Sequence, residues 1–100
     1  MESQVGTDEI LKSNRGEILK LAARHGAKSL RVFGSVARGE AGPDSDIDFI
    51  VDMESGRSYL DIGALLMDLQ DLLGRKVDLV TERALHASIK SQILQEAIPL

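Results

Sequence analysis

The sequence contains no cysteine. That excludes disulfides, thiolate zinc sites and a cysteine nucleophile. It has three aromatic residues, Phe33, Phe49 and Tyr59, too few to build a base-stacking platform for single-stranded nucleic acid. Positive charge is not in excess: 12 Lys and Arg stand against 16 Asp and Glu, for a net charge of −4. This argues against duplex nucleic acid as the main partner, because non-specific affinity for it comes from clustered Lys and Arg. No apolar run approaches the ~20 residues needed to span a bilayer. The first six residues, Met-Glu-Ser-Gln-Val-Gly, lack the basic start and apolar stretch of a secretory signal. A cytoplasmic location without a membrane partner is therefore expected. With 100 residues and no repeat or linker, the chain reads as one domain over residues 1–100, with a real but small core.

Alternating punctuation and apolar runs give a coarse map. Met1 to Gly6 reads as a loose tail and Thr7 as an N-cap, with Asp8 and Glu9 in the first helical turn. Ile10, Leu11, Ile18, Leu21 and Ala22 share one face of a helix that Gly16 weakens and Gly26 stops. Leu30–Phe33 is a first short strand, Ser35–Gly39 a short helix, Gly42-Pro43-Asp44 a turn and Ile47–Val51 a second strand. Ser58 caps the clearest helix, whose Ile62, Leu65, Leu66, Leu69, Leu72 and Leu73 repeat at helical spacing as core residues, and Gly74 ends it. Val77–Val80 is a third strand, and Leu85, Ile89, Ile93 and Ala97 step by four along a last helix. The expected class is α+β, in α-β-α-β-α-β-α order. A small mixed three-stranded sheet would carry its helices mainly on one face.

The residues from Gly34 to Asp48 carry the chemistry. Gly34-Ser35 ends the first strand, and backbone N–H groups at such a turn favour phosphate, with glycine allowing close approach. Arg38, one turn on, offers a planar fork suited to the same anion. Asp46 and Asp48 are spaced to project from one face of the second strand, while Ile47, Phe49 and Val51 project from the other. Two carboxylates on one face repel unless a cation lies between them, and Mg²⁺ suits carboxylates, retained waters and substrate phosphates. Asp78, between apolar Val77 and Leu79 in the third strand, is the candidate third carboxylate. A helical crossover would make strands two and three parallel neighbours and set Asp78 beside Asp48. A lone Gly-Ser turn or Asp-x-Asp is commonplace, and the weight lies in their combination. His25 and His86 lack metal-ligand spacing and read as surface residues. Arg24, His25, Lys28 and Arg31 read as a solvated cationic face.

Gly34-Ser35, ten intervening residues and Asp46-x-Asp48, together with Ala37-Arg38-Gly39, Pro43 and Ser45, resemble the motif of the DNA polymerase beta superfamily of nucleotidyltransferases. The likeness is to its minimal nucleotidyltransferases, the antitoxins of HEPN/MNT toxin–antitoxin modules. The resemblance implies that Asp46 and Asp48 bind two Mg²⁺ ions. Asp78 would join the second metal or take the proton of the attacking hydroxyl, and Gly34 and Ser35 would hold the triphosphate of ATP. It further implies transfer of AMP to a hydroxyl, a tyrosine of a small helical HEPN toxin. The small size fits an acceptor presented by another protein or completed by another subunit, homo- or hetero-oligomeric. Two other readings compete: an antitoxin that neutralises by binding alone, and a nucleotidyltransferase for small molecules.

Overall fold

The computed structural model describes residues 7–42 and 44–100, so the expected tail at Met1–Gly6 and the residue Pro43 lie outside the described residues. Two helices open the chain, α1 (Thr7–Ser13) and α2 (Arg15–Arg24), followed by β1 (Ala27–Phe33), β2 (Ile47–Met53), α3 (Tyr59–Leu73) and β3 (Val77–Thr81). A 3-10 turn at Glu82–Ala84 leads into α4 (Ala87–Glu96), and Ile98–Pro99 adds a two-residue strand, β4. The three expected strands form the sheet, and β4 extends it to the order β3-β2-β1-β4. β1 runs antiparallel to β2 and β4, and β2 runs parallel to β3. The sheet is therefore mixed.

Local chemistry accounts for the element boundaries. The first helix divides at Asn14, whose side-chain amide donates to the Ile10 carbonyl at 2.8 Å and so competes with a regular helical path. At the start of α3 the Leu60 N–H donates to Ser58 Oγ at 3.1 Å, and the Ser58 N–H donates to Asp61 at 2.9 Å. This reciprocal cap satisfies donors that the helix itself leaves free. Gly74, with φ of 64°, closes the helix in a left-handed cap. Gln70 then accepts from the Val77 N–H at 3.1 Å, which ties the last turn of α3 to the first residue of β3.

Alternation along the strands builds the core. Leu30 and Val32 of β1, Ile47, Phe49 and Val51 of β2 and Val77 of β3 face Leu11, Ile18, Leu65, Leu69 and Leu73 of α1–α3. Phe49, Ile18, Ile47, Leu65, Leu69 and Val51 are fully buried, each stabilising the fold by roughly 1.5–3 kcal/mol relative to exposure.

The helices lie mainly on one face, as expected, with α1–α3 supplying the helical side of the core. The connection from β3 to β4 joins two parallel strands at opposite edges, moving across the sheet in the sense opposite to the β2-α3-β3 connection. Right-handed crossovers, the rule for such connections, would set α3 and α4 on opposite faces. The sheet face away from the main core is closed in part by side chains. Arg31 of β1 reaches across β2 to Glu82 at 2.9 Å, and Ile50, the register partner of Arg31, is 1% exposed beneath this bridge.

Candidate active site

The site lies at one end of the sheet, where β1 finishes and β2 and β3 begin. In the β2/β3 ladder Asp48 stands opposite Asp78, and in the β1/β2 ladder it stands opposite Phe33. The neighbouring row, Ile47 and Val77, is buried against α3. Period-two alternation therefore turns Asp48 and Asp78 away from the main core. Asp46, immediately before β2, is exposed.

The expected short helix at Ser35–Gly39 is a turn instead. The Arg38 N–H donates to the Gly34 carbonyl at 3.1 Å and the Glu40 N–H to the Ser35 carbonyl at 2.8 Å. Gly34 and Gly39, with φ of 74° and 72°, bracket the segment. Left-handed glycines at both ends stop the helical path after one turn. The turn passes so close to β2 that a Cβ on Gly34 would collide with the Asp48 carboxylate. Gly34 thus serves close approach as well as chain reversal.

Burial, then repulsion from Asp78 and Asp46, raises the Asp48 pKa above its ordinary value of 3.8, and Arg38 offsets part of this. Asp46 and Asp78 both lie close enough to act on Asp48, and added positive charge there would be favourable. Among the described residues, no three acidic or histidine side chains close around a single cation position. The donor set is oxygen only. Mg²⁺ uses one or two carboxylates and fills its remaining positions with waters and substrate phosphates, and this set fits that habit.

Arg38, the expected anion-binding fork, is held by two carboxylates. Its Nε meets Glu40 at 2.9 Å and its Nη1 meets Glu96, the last residue of α4, at 3.1 Å. Both carboxylates hold the guanidinium more firmly protonated. His25 also departs from its expected surface role. Its Nε2 lies 2.7 Å from Asp68, joining the end of α2 to α3, with the His25 side chain 17% exposed.

Sequence reasoning missed Arg75 and Lys76. The Arg75 Nη1 donates to the Ser45 carbonyl at 3.1 Å, the Ile47 N–H donates to the Lys76 carbonyl at 3.0 Å, and Lys76 Nζ lies 4.0 Å from Asp46. The signal was present: Asp48 and Asp78 are register partners, and the same offset sets Arg75 beside Ser45 and Lys76 beside Asp46.

Carboxylates at the start of parallel strands, facing a glycine-serine turn at the end of a third, define a phosphoryl-handling class of fold. Residues 15–100 match the nucleotidyltransferase domain family. The chain belongs to that family and is a nucleotidyltransferase. It is 40% identical over 91 residues to the protein adenylyltransferase MntA of Thermococcus cleftensis, covering 91% of this chain and 89% of the relative. It superposes with a TM-score of 0.83 on the solved structure of a candidate minimal nucleotidyltransferase, at 53% identity over 93% of this chain and 95% of that one. A toxin–antitoxin crystal structure with AMP-PNP matches with a TM-score of 0.72 and 25% identity over 86% of this chain and 71% of that one. No helix among the described residues is long and apolar enough to cross a membrane.

Proposed function

We propose that this nucleotidyltransferase transfers AMP from ATP to a hydroxyl, a tyrosine hydroxyl, on a small helical HEPN toxin, and so acts as its antitoxin. The observation that carries this reading is the pairing of Asp48 with Asp78 beside the Gly34 backbone. That arrangement brings carboxylates and a close-approach turn to one point. The acceptor class is supported by the likeness to a relative named as a protein adenylyltransferase and to a toxin–antitoxin structure holding AMP-PNP.

In this reading the acceptor oxygen forms a bond to the α-phosphorus of ATP, the bond from that phosphorus to the β-phosphate oxygen breaks, and pyrophosphate leaves. Asp46, Asp48 and Asp78 would hold two Mg²⁺ ions. When bound, these ions would lower the pKa of the acceptor hydroxyl and neutralise charge on the leaving oxygen. Asp78 would either join the second ion or take the acceptor proton. The backbone at Gly34 and Ser35 cradles the triphosphate, and the partly buried Ser35 hydroxyl, which has no protein partner among the described residues, donates to it. Arg38 adds charge on the same side.

The test is intact mass spectrometry of the partner toxin after incubation with this protein, ATP and Mg²⁺. A gain of one or more AMP units with wild type, absent with Asp48→Ala, supports the reading. Neutralisation by both proteins with no mass change would make this a binding antitoxin instead. Transfer to a free hydroxylated small molecule, with none to the toxin, would replace the protein acceptor.

A further inference from the structure

The dipeptide Arg75-Lys76 grips three successive residues around Asp46. Arg75 donates to the Ser45 carbonyl, Lys76 accepts from the Ile47 N–H through its own carbonyl, and the Lys76 ammonium faces the Asp46 carboxylate. Asp46 precedes β2 and lies outside its ladder, so strand pairing does not fix it. Ser45 is the anchor of that loop. Its N–H donates to the Gly42 carbonyl at 3.2 Å, and its hydroxyl accepts from the Gly42 N–H at 2.8 Å. Among the described residues, the two bonds to Gly42 close the local turn. The bond from Arg75 ties the turn to the segment that leads into β3.

We infer that Arg75 is a positioning residue for Asp46, acting through the Ser45 carbonyl to fix where that carboxylate points. The inference rests on the reading above, in which Asp46 holds a divalent cation. Asp48 and Asp78 are set by the sheet, whereas Asp46 is set by this clamp, so the spacing between the two kinds of carboxylate depends on Arg75. Groups that orient a metal ligand without touching the metal typically cost 10- to 100-fold in affinity or activity when removed. The sign separates orientation from charge. Deleting a cation near a cation site strengthens metal binding if charge alone matters, whereas loss of orientation weakens it.

The experiment titrates Mn²⁺ alone into the whole protein, followed by water-proton relaxation, and separately measures the Mg²⁺ dependence of AMP transfer. Arg75→Ala is expected to weaken Mn²⁺ binding about tenfold and to raise the Mg²⁺ requirement similarly. Arg75→Lys and Arg75→Gln, which retain N–H donors at the end of the side chain, should recover part of the loss. Should Arg75→Ala not fold, the two conservative variants decide the matter: both must bind Mn²⁺ more weakly than wild type. Unchanged or tighter Mn²⁺ binding, in whichever of these variants folds, overturns the inference. The reading beneath it fails separately. If Asp46→Asn binds Mn²⁺ and transfers AMP like wild type, or if the wild type does not bind Mn²⁺, then Asp46 is not a metal ligand.

Discussion

Asp48 and Asp78 face each other across adjacent parallel strands, and the Gly34 backbone presses against Asp48 from the β1 side. Three elements that are far apart in the chain thus meet at one carboxylate. The arrangement is unfavourable for the protein alone, since burial and two neighbouring carboxylates all resist ionisation of Asp48.

That cost has a direction in pH. Because the Asp48 pKa is raised above 3.8, the folded protein binds this proton more tightly than the unfolded chain does. The destabilisation is fully present above the raised value. It diminishes as pH falls through that value and is gone below 3.8. Asp48→Asn should therefore raise the melting temperature near pH 7, modestly because the group is only partly buried. The gain should vanish in acid. Thermal melts of both proteins from pH 3 to pH 8 check this, and AMP transfer by Asp48→Asn should be lost throughout.

Mg²⁺ should act on the same repulsion from the other side. A ligand that binds only the folded state stabilises it by mass action, about 2.7 kcal/mol at 100 times its dissociation constant. Millimolar Mg²⁺ should raise the melting temperature of wild type, EDTA should reverse the rise, and Asp48→Asn should respond much less. A wild-type melt indifferent to Mg²⁺, with and without ATP, would contradict the metal reading.

The two glycines that bracket the turn give a matched comparison. Each has a left-handed φ, so alanine at either costs roughly 1–2 kcal/mol in backbone strain. At Gly39 the added methyl meets open space, whereas at Gly34 it meets the Asp48 carboxylate. Gly39→Ala should lose about 1 kcal/mol of stability and keep most activity. Gly34→Ala should lose more stability and also at least 100-fold in transfer, since a displacement of about 1 Å at the reacting centre costs that much. Urea denaturation alongside initial rates separates the two effects.

Much of this site was legible in the sequence because strand alternation and a helical crossover are strict rules. Once Val77–Val80 is a strand and residues 58–74 a helix, Asp78 must run parallel to β2 and can meet Asp48. The position of Asp46 was legible too, but its support was not, because Arg75 and Lys76 carry no motif and acquire meaning only through strand register. The segment at Ser35–Gly39 misled because its composition permits a helix, while the left-handed glycines at both ends were not apparent as such. His25 was hidden for a different reason: its partner Asp68 lies on a separate helix, and only packing brings them together. The edge strand β4 was not legible because, at two residues long, it is too short for periodicity to reveal.

Arg38 offers the sharpest test of how nucleotide enters. With Nε bound to Glu40 and Nη1 bound to Glu96, neither edge of the guanidinium is free to donate two parallel bonds to a phosphate. A triphosphate that engages the fork must displace one carboxylate, and Glu96 is the one contributed from a distant element. Gln92 steadies Glu96 from the same helix at 3.4 Å, so the contact holds the end of α4 against the turn. Glu96→Gln removes a competing anion and a source of repulsion together, and it should tighten ATP binding by a few fold, given the modest strength of exposed ion pairs. Arg38→Ala should weaken ATP binding, by no more than about tenfold, because the Gly34 and Ser35 backbone donors remain. The double variant Arg38→Ala/Glu96→Gln should bind ATP like Arg38→Ala alone, since Glu96 has nothing left to mask. Calorimetric titration of the four proteins with a non-hydrolysable ATP analogue and Mg²⁺ tests this. If Glu96→Gln instead binds nucleotide more weakly than wild type, the Glu96 contact presents Arg38 to the phosphate and does not withhold it.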